Sequence, residues 1–218
     1  MSSKPTLVNS EISGYISEVF SSEDGFLVQL RKEAADNGIP DICISPEQGL
    51  FLQFLIKASG IVNILEIGSL AGYSAITMAR ALPKGGRLAA IEIELEYAHF
   101  IKRKAEQAGL SDVIEVINAD ARNYIDTIQG TMYDLIFLDA DKRNYTEYFL
   151  KCERLLRTGG IFAADNAFAF GEITTEYPDR DNEEVEGIRN FNKYIRKRTD
   201  YTSCIVPVGD GMVLAVKL

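Results

Sequence analysis

One histidine, three cysteines and no tryptophan appear in this chain of 218 residues, and each shortage narrows what it can be. The histidine, His99, lies in a helical stretch with no serine or cysteine nucleophile motif beside it, which leaves it a surface or packing role. Cys43, Cys152 and Cys204 are odd in number and far apart, a pattern of reduced thiols and not of a disulfide framework or a zinc site. Basic residues are also in deficit. The 23 Lys and Arg against 32 Asp and Glu give a formal net charge of −9, without the clustered positive surface that nucleic acid requires. The one basic stretch, residues 193–198, is short and falls in a helical pattern, so it reads as a solvated face. No apolar run approaches the roughly 18 residues of a membrane span, and the N-terminus lacks a signal-peptide pattern. Repeats and low-complexity segments are missing too. The expectation is a soluble, cytoplasmic protein with one domain over residues 1–218 and neither nucleic acid nor membrane as a partner.

What the sequence does contain is alternation. An apolar run at 61–67 ends in Gly68, Gly72 follows, and 74–82 has helix-forming composition, so a buried strand turns tightly into a helix. Further strands are expected at 87–93, 113–118, 133–139 and 161–165, with helices at 95–108, 121–128 and 144–157 between them. Asn144 and Glu147 stand at capping-box spacing, and Thr158-Gly159-Gly160 reads as the turn into the fifth strand. A helix over 183–198 precedes runs at 201–208 and 212–218, joined by Gly209-Asp210-Gly211 as a hairpin. The fold class is therefore α/β: a mostly parallel sheet with helices on both faces and an antiparallel pair at the end. Ahead of it, residues 1–43 form a helical appendage broken at Asp24-Gly25. Ser45-Pro46-Glu47-Gln48 then starts a capped helix that opens the core of 44–218.

In an open parallel sheet, ligands bind beyond the carboxyl ends of the strands, and those ends carry an unusual set of side chains. They are Glu66 with Gly68, Glu92, Asn118 with Asp120, Asp139-Ala140-Asp141-Lys142, and Asp165-Asn166. So many carboxylates would repel one another unless a cation or a set of donors lay among them. Helix capping is the plainer reading for Asp120 and an alternative one for Asp141. The glycine spacing is Gly-x-x-x-Gly, whereas a dinucleotide fingerprint needs Gly-x-Gly-x-x-Gly. Glu66 beside that turn would repel a pyrophosphate and suit a ligand bearing an amine or a sulfonium. Glu92, at the second strand end, is placed to accept hydrogen bonds from a ribose diol. Asp139, Asp165 and Asn166 offer only oxygen, the preference of Mg²⁺, Mn²⁺ or Ca²⁺. Lys142 is either a general base with a lowered pKa or one half of an ion pair. Tyr73, next to the turn, is placed to pack against the ligand.

Four segments in this order and spacing carry a resemblance. They are Leu65-Glu66-Ile67-Gly68 with Gly72-Tyr73-Ser74, Asp139-Ala140-Asp141-Lys142 with Asn144-Tyr145, Asp165-Asn166, and Pro207-Val208-Gly209-Asp210-Gly211. With them the sequence resembles the cation-dependent O-methyltransferases of the caffeoyl-CoA and catechol type, from about Ile44 to the C-terminus. The resemblance implies a Rossmann-like class I S-adenosylmethionine-dependent methyltransferase fold with a seven-stranded sheet. It also implies that Ile44, Glu66, Gly68, Ser69, Ser74, Glu92, Asp120, Ala121 and Asp139 line the S-adenosylmethionine site. Asp139, Asp165 and Asn166 would hold a divalent cation, Mg²⁺ first among the candidates, with Lys142 as base and Asp139 touching both sites. The implied reaction is methylation of one hydroxyl of a catechol-like phenolic acceptor by a homodimer. One departure stands out: relatives continue Asp-Asn with Val-Leu-Trp, whereas this chain has Ala167-Phe168-Ala169-Phe170, which bears on the acceptor. The competing readings are a nicotinamide-dependent oxidoreductase and a non-catalytic binding domain with the same fold.

Overall fold

A computed structural model describes residues 8–20, 23–130, 132–179 and 181–218; the first seven residues of the expected appendage lie outside it. Seven strands form one sheet in the order β3-β2-β1-β4-β5-β7-β6. They are β1 (Asn63–Ile67), β2 (Arg87–Glu92), β3 (Ile114–Asn118), β4 (Tyr133–Leu138), β5 (Leu156–Ala164), β6 (Tyr201–Val206) and β7 (Met212–Lys217). The first five run parallel, and β7 pairs antiparallel with both β5 and β6. Chain order reverses between β1 and β4, so the sheet opens a crevice at their carboxyl ends.

The helices are α1 (Ser10–Phe20), α2 (Gly25–Asp36), α3 (Pro46–Ser59), α4 (Tyr73–Ala79), α5 (Leu95–Gln107), α6 (Ala121–Thr127), α7 (Tyr145–Cys152) and α8 (Asn182–Lys197). They cover both faces of the sheet, which is why β1 is buried from Ile64 to Ile67 without alternation. One core packs Leu52, Ile56, Ile76 and Phe100 against Leu135 and Phe137. The other is aromatic: Phe149, Phe162, Phe191 and Tyr201 meet edge to face or tilted, with ring centroids 5.0 to 6.1 Å apart. The α3 start has the expected capping box, with Pro46 at its first turn and Gly60 left-handed at its end.

Two expectations fail. The helix expected over 144–157 stops at Cys152, because Leu155 and Leu156 are buried and recruited to β4: Tyr133 N–H donates to Leu155 O (2.7 Å) and Tyr133 pairs with Leu156. The Thr158-Gly159-Gly160 turn survives as a bulge inside a longer β5, where the register jumps from Tyr133↔Leu156 to Leu135↔Ile161. The capping box at Asn144 does not form either. Asn144 makes no side-chain cap bond to α7 and donates to Asp141 instead, closing a 3₁₀ turn over Lys142–Asn144. Most other boundaries shift by a residue or two.

Candidate active site

Backbone bonds carry the sheet one residue beyond each central strand. Gly68 N–H donates to Ile91 O, Asp139 N–H to Ile67 O and Asp165 N–H to Leu138 O, each at 3.0 Å. The strand-end residues therefore stand in a fixed row across the crevice. Gly68 is required there twice over: its φ is +84°, and a Cβ on it would lie 2.2 Å from the Asp139 carbonyl oxygen. This close approach brings the glycine turn against the Asp139 strand end.

A cavity of about 990 Å³ opens at this row. Of the expected residues, Ile44, Gly68, Glu92, Asp120, Ala121, Asp139, Lys142, Asp165 and Asn166 line it. Glu66, Ser69 and Ser74 sit just behind its wall, all buried. Tyr73 also lies outside the lining. As the first residue of α4 its ring is 2% exposed and its hydroxyl donates to Glu23 (2.8 Å), so it ties α4 to the N-terminal layer.

Glu66 is fully buried. One oxygen accepts from Ser69 Oγ (2.6 Å), and Oε1 has no partner among the described residues. Burial pushes its carboxyl up to about 7, against the Ser69 and Ser74 hydroxyls, which draw it down. Glu92 accepts two backbone N–H groups, Leu70 N (2.7 Å) and Glu94 N (2.9 Å), and so pins the glycine loop. A carboxylate has lone pairs left over for a diol. Asp120 caps α6 through Arg122 N (2.9 Å), and the Arg122 side chain holds its carboxyl below the ordinary range.

On the other side, Lys142 Nζ donates to Asp139 Oδ1 at 2.5 Å. Burial would lower the lysine pKa, but Tyr145 and Asp139 more than offset it and hold the ammonium well above its usual range. The ion-pair reading of Lys142 is thus the state of the protein in this structure. Asp165 is 5% exposed and takes part in no ion pair among the described residues; its side-chain partner is the neutral Gln48 amide. Burial, and then repulsion from Asp139, push it up to about 7. Asn166 has φ +60° and donates from Nδ2 to Asp210 Oδ2 (3.1 Å), which leaves its carbonyl oxygen available to a ligand. No cluster of three or more His, Cys, Asp or Glu suited to a metal occurs among the described residues. The candidate set is two carboxylates and one amide oxygen. A hard divalent cation fits these donors, because Asp165 is buried, repelled by Asp139 and in no direct ion pair among the described residues.

Sequence reading missed Gln48 and Asp210 as site residues. Gln48 was legible only as a helix cap, and Asp210 only as part of a turn. Of the four residues after Asn166, Ala167 and Ala169 are buried, Phe168 packs on Gly211, and Phe170 faces the cavity. Phe170 N–H donates to Asp210 Oδ2 (2.7 Å), which binds this strap to the hairpin.

This strand order, with a cavity at the switch point lined by a glycine turn and strand-end carboxylates, defines the Rossmann-like methyltransferase class. A sequence profile of the O-methyltransferase family matches residues 17–218, and the chain belongs to that family. It is 38% identical over 213 residues to a catechol O-methyltransferase of Niastella koreensis, covering 94% of this chain and 96% of that one. Among solved structures it matches an O-methyltransferase from Bacillus cereus in complex with SAH (S-adenosylhomocysteine), with TM-score 0.86 and 32% identity over 95% of this chain and 97% of the other. It also matches TomG from Streptomyces achromogenes in complex with SAM (S-adenosylmethionine), with TM-score 0.84 and 31% identity over 95% and 96% of the chains. Family membership sets aside the nicotinamide oxidoreductase alternative. No helix among the described residues is long and apolar enough to cross a membrane.

Proposed function

We propose that this protein methylates one hydroxyl of a catechol-like small molecule, using S-adenosylmethionine and a divalent cation, Mg²⁺ first and Mn²⁺ or Ca²⁺ as alternatives. The observation that carries the reading is one cavity in which the Gly68 turn, with the buried Glu66 carboxylate behind its wall, lies beside three strand-end oxygen donors and a lysine. On the cofactor side the neighbouring solved structures hold SAM or SAH. Glu66 supplies negative charge for the ligand's amine or sulfonium end, Glu92 accepts the ribose hydroxyls, and the Gly68 backbone, Ile44, Asp120 and Ala121 shape the contact surface. S-adenosylmethionine supplies an electrophilic methyl group, whose transfer to oxygen leaves S-adenosylhomocysteine.

Asp139, Asp165 and Asn166 would hold the cation, whose chemistry is to lower the pKa of an adjacent phenol from about 10. Lys142 is the proposed proton acceptor. Its present ion pair opposes that role. Engaging the Asp139 charge elsewhere removes one of the two influences, with Tyr145, that raise the lysine against burial, which lowers its pKa. Asp139, next to the glycine turn and to Lys142, holds cofactor and acceptor in one geometry, and such positioning supplies several kcal/mol. Phe170 gives the acceptor ring an aromatic wall.

A homodimer belongs to the same proposal. The α1 helix has no buried residue, and Tyr15, Val19 and Phe20 are exposed along with Leu50 and Phe54 of α3. Such apolar exposure marks an interaction surface; sedimentation velocity giving a monomer at micromolar concentration would count against it.

The activity is tested by mass-spectrometric product detection with S-adenosylmethionine and a catechol panel containing caffeate, its thioester and a flavonoid, run with Mg²⁺ and with EDTA. The expected result is a product one methyl heavier that disappears with EDTA and in Asp139→Ala and Lys142→Ala. Turnover that survives EDTA, or survives both substitutions, refutes the assigned roles.

A further inference from the structure

Gln48 does two things at once. As the third residue of α3 its Oε1 accepts from Ser45 N–H (3.0 Å) while its own N–H donates to Ser45 Oγ (3.3 Å), which starts the helix. Its remaining donor, Nε2, reaches across 117 positions of sequence to Asp165 Oδ1 at 2.5 Å. The side chain is 4% exposed, so this bond lies out of competition with water. A capping glutamine needs only its oxygen for the cap, and nothing about helix initiation calls for the second bond.

The surroundings fix that amide in place. Gly209 has φ +56°, and a Cβ on it would fall 2.3 Å from Gln48 Cδ, so the hairpin turn closes directly over the glutamine. The next residue, Asp210, takes the Nδ2 of Asn166 (3.1 Å). The two residues just beyond β5 are therefore each gripped by a side chain from another part of the chain, Asp165 by Gln48 and Asn166 by Asp210. For Asp165 the grip matters more, because a buried carboxylate with two free oxygens can rotate about its terminal torsion, whereas one tethered oxygen presents the other in a single direction.

We propose that Gln48 is a positioning residue for the cation site: its amide orients Asp165 so that the carboxylate meets a divalent cation with one oxygen already aligned. The inference rests on the cation reading given above and extends it to a residue at the start of α3. Gln48 itself need not touch the cation, cofactor or acceptor.

The test is Mn²⁺ binding to the full chain, read from the electron paramagnetic resonance signal of free Mn²⁺, beside S-adenosylhomocysteine binding by calorimetry in the presence of a chelator. Gln48→Met keeps the volume and removes the amide; it is expected to weaken Mn²⁺ binding by roughly 10- to 100-fold, the usual loss for a partner of a metal ligand, while S-adenosylhomocysteine binding is retained. Ser45→Ala removes the capping hydroxyl and leaves the Gln48 amide, so Mn²⁺ binding is expected to stay at the wild-type level. Should Gln48→Met not fold, Gln48→Leu carries the same test, because it too removes the amide while Ser45, Gly209 and Asp210 remain. Wild-type Mn²⁺ affinity in the amide-free variant overturns the inference. So does an equal loss in Ser45→Ala, which would trace the effect to the helix start. A wild-type protein that takes up no Mn²⁺ refutes the cation reading itself and removes the inference with it, a result distinct from the other two.

Discussion

Replacing Glu66 by glutamine should make the ligand-free protein more stable and a poorer binder at the same time. Glu66 is fully buried and its carboxyl is moved from 4.5 to about 7, chiefly by burial. At about 1.4 kcal/mol per pKa unit, the ionised form in the folded protein is disfavoured by about 3 kcal/mol. The sign follows from linkage. A carboxyl whose pKa is raised on folding contributes stability that is fully present below its unfolded value near 4.5 and is lost as pH climbs through about 7. Above that, the folded state carries an ionised side chain whose Oε1 has no partner among the described residues. Glutamine has nearly the same shape, keeps an acceptor for Ser69 and does not ionise. Urea denaturation of the ligand-free protein should therefore give wild type and Glu66→Gln similar stability near pH 4.5. By pH 8 the variant should lead by up to about 3 kcal/mol. Comparing the pair cancels the other titrating groups, which both proteins share. In the same variant S-adenosylmethionine should bind roughly 10- to 100-fold more weakly, the loss of one buried charge-assisted bond. Stability curves that run parallel across this window would refute the burial argument, and unchanged ligand affinity would refute the role assigned to the carboxylate.

Three further outcomes follow from close contacts. Gly187→Ala places a methyl group 2.4 Å from the Lys142 carbonyl oxygen; displacing the 3₁₀ turn should lower kcat by roughly 10- to 100-fold while leaving S-adenosylhomocysteine affinity unchanged in calorimetry. Phe170→Ala removes a ring that is 38% exposed on the cavity wall, so the acceptor KM should rise about fivefold for roughly 1 kcal/mol of lost apolar contact, with the cofactor KM unmoved. Gly68→Ala meets both a left-handed φ and the Asp139 carbonyl, so its thermal midpoint should fall by the equivalent of at least about 2 kcal/mol, or the chain should fail to accumulate in soluble form.

The fold was legible because its signals are local. The central strands β1 and β4 read as near-continuous apolar runs, and Gly68 after β1, Asp120 after β3 and Asp141 after β4 marked turns by glycine or capping chemistry. The strand-end residues were legible for the same reason: knowing where a parallel strand stops says which side chains face the crevice. What escaped was whatever depends on contacts distant in sequence. Tyr73 looks like a ligand contact from its place beside the glycine turn, yet its direction is set by Glu23, 50 positions earlier. The end of α7 was misjudged because β4 recruits Leu155 and Leu156 through pairing that no helical period reports. Gln48 and Asp210 went unassigned because their second bonds span 117 and 44 positions.

The ligand-free site is electrostatically and conformationally unfavourable in a consistent way. Glu66 is buried with one oxygen unpartnered among the described residues, and Asp165 is buried and repelled by Asp139, with the neutral Gln48 amide as its side-chain hydrogen-bond partner. Leu70, Asn166, Ala169 and Phe170 all have positive φ, of which only asparagine adopts it readily. Every one of these residues lies in or just behind the cavity or on the strap over it, and none is a buried member of the two hydrophobic cores that flank the sheet; Ala169 packs instead with Val185 and Ile188 of α8. A fold that concentrates its unfavourable terms at one rim, and holds them there with a continuous sheet and two packed faces, has them pre-arranged for ligands of opposite charge. Binding such ligands then relieves what folding alone leaves uncompensated, so stability and affinity should respond in opposite directions to substitutions at this rim and together to substitutions in the cores.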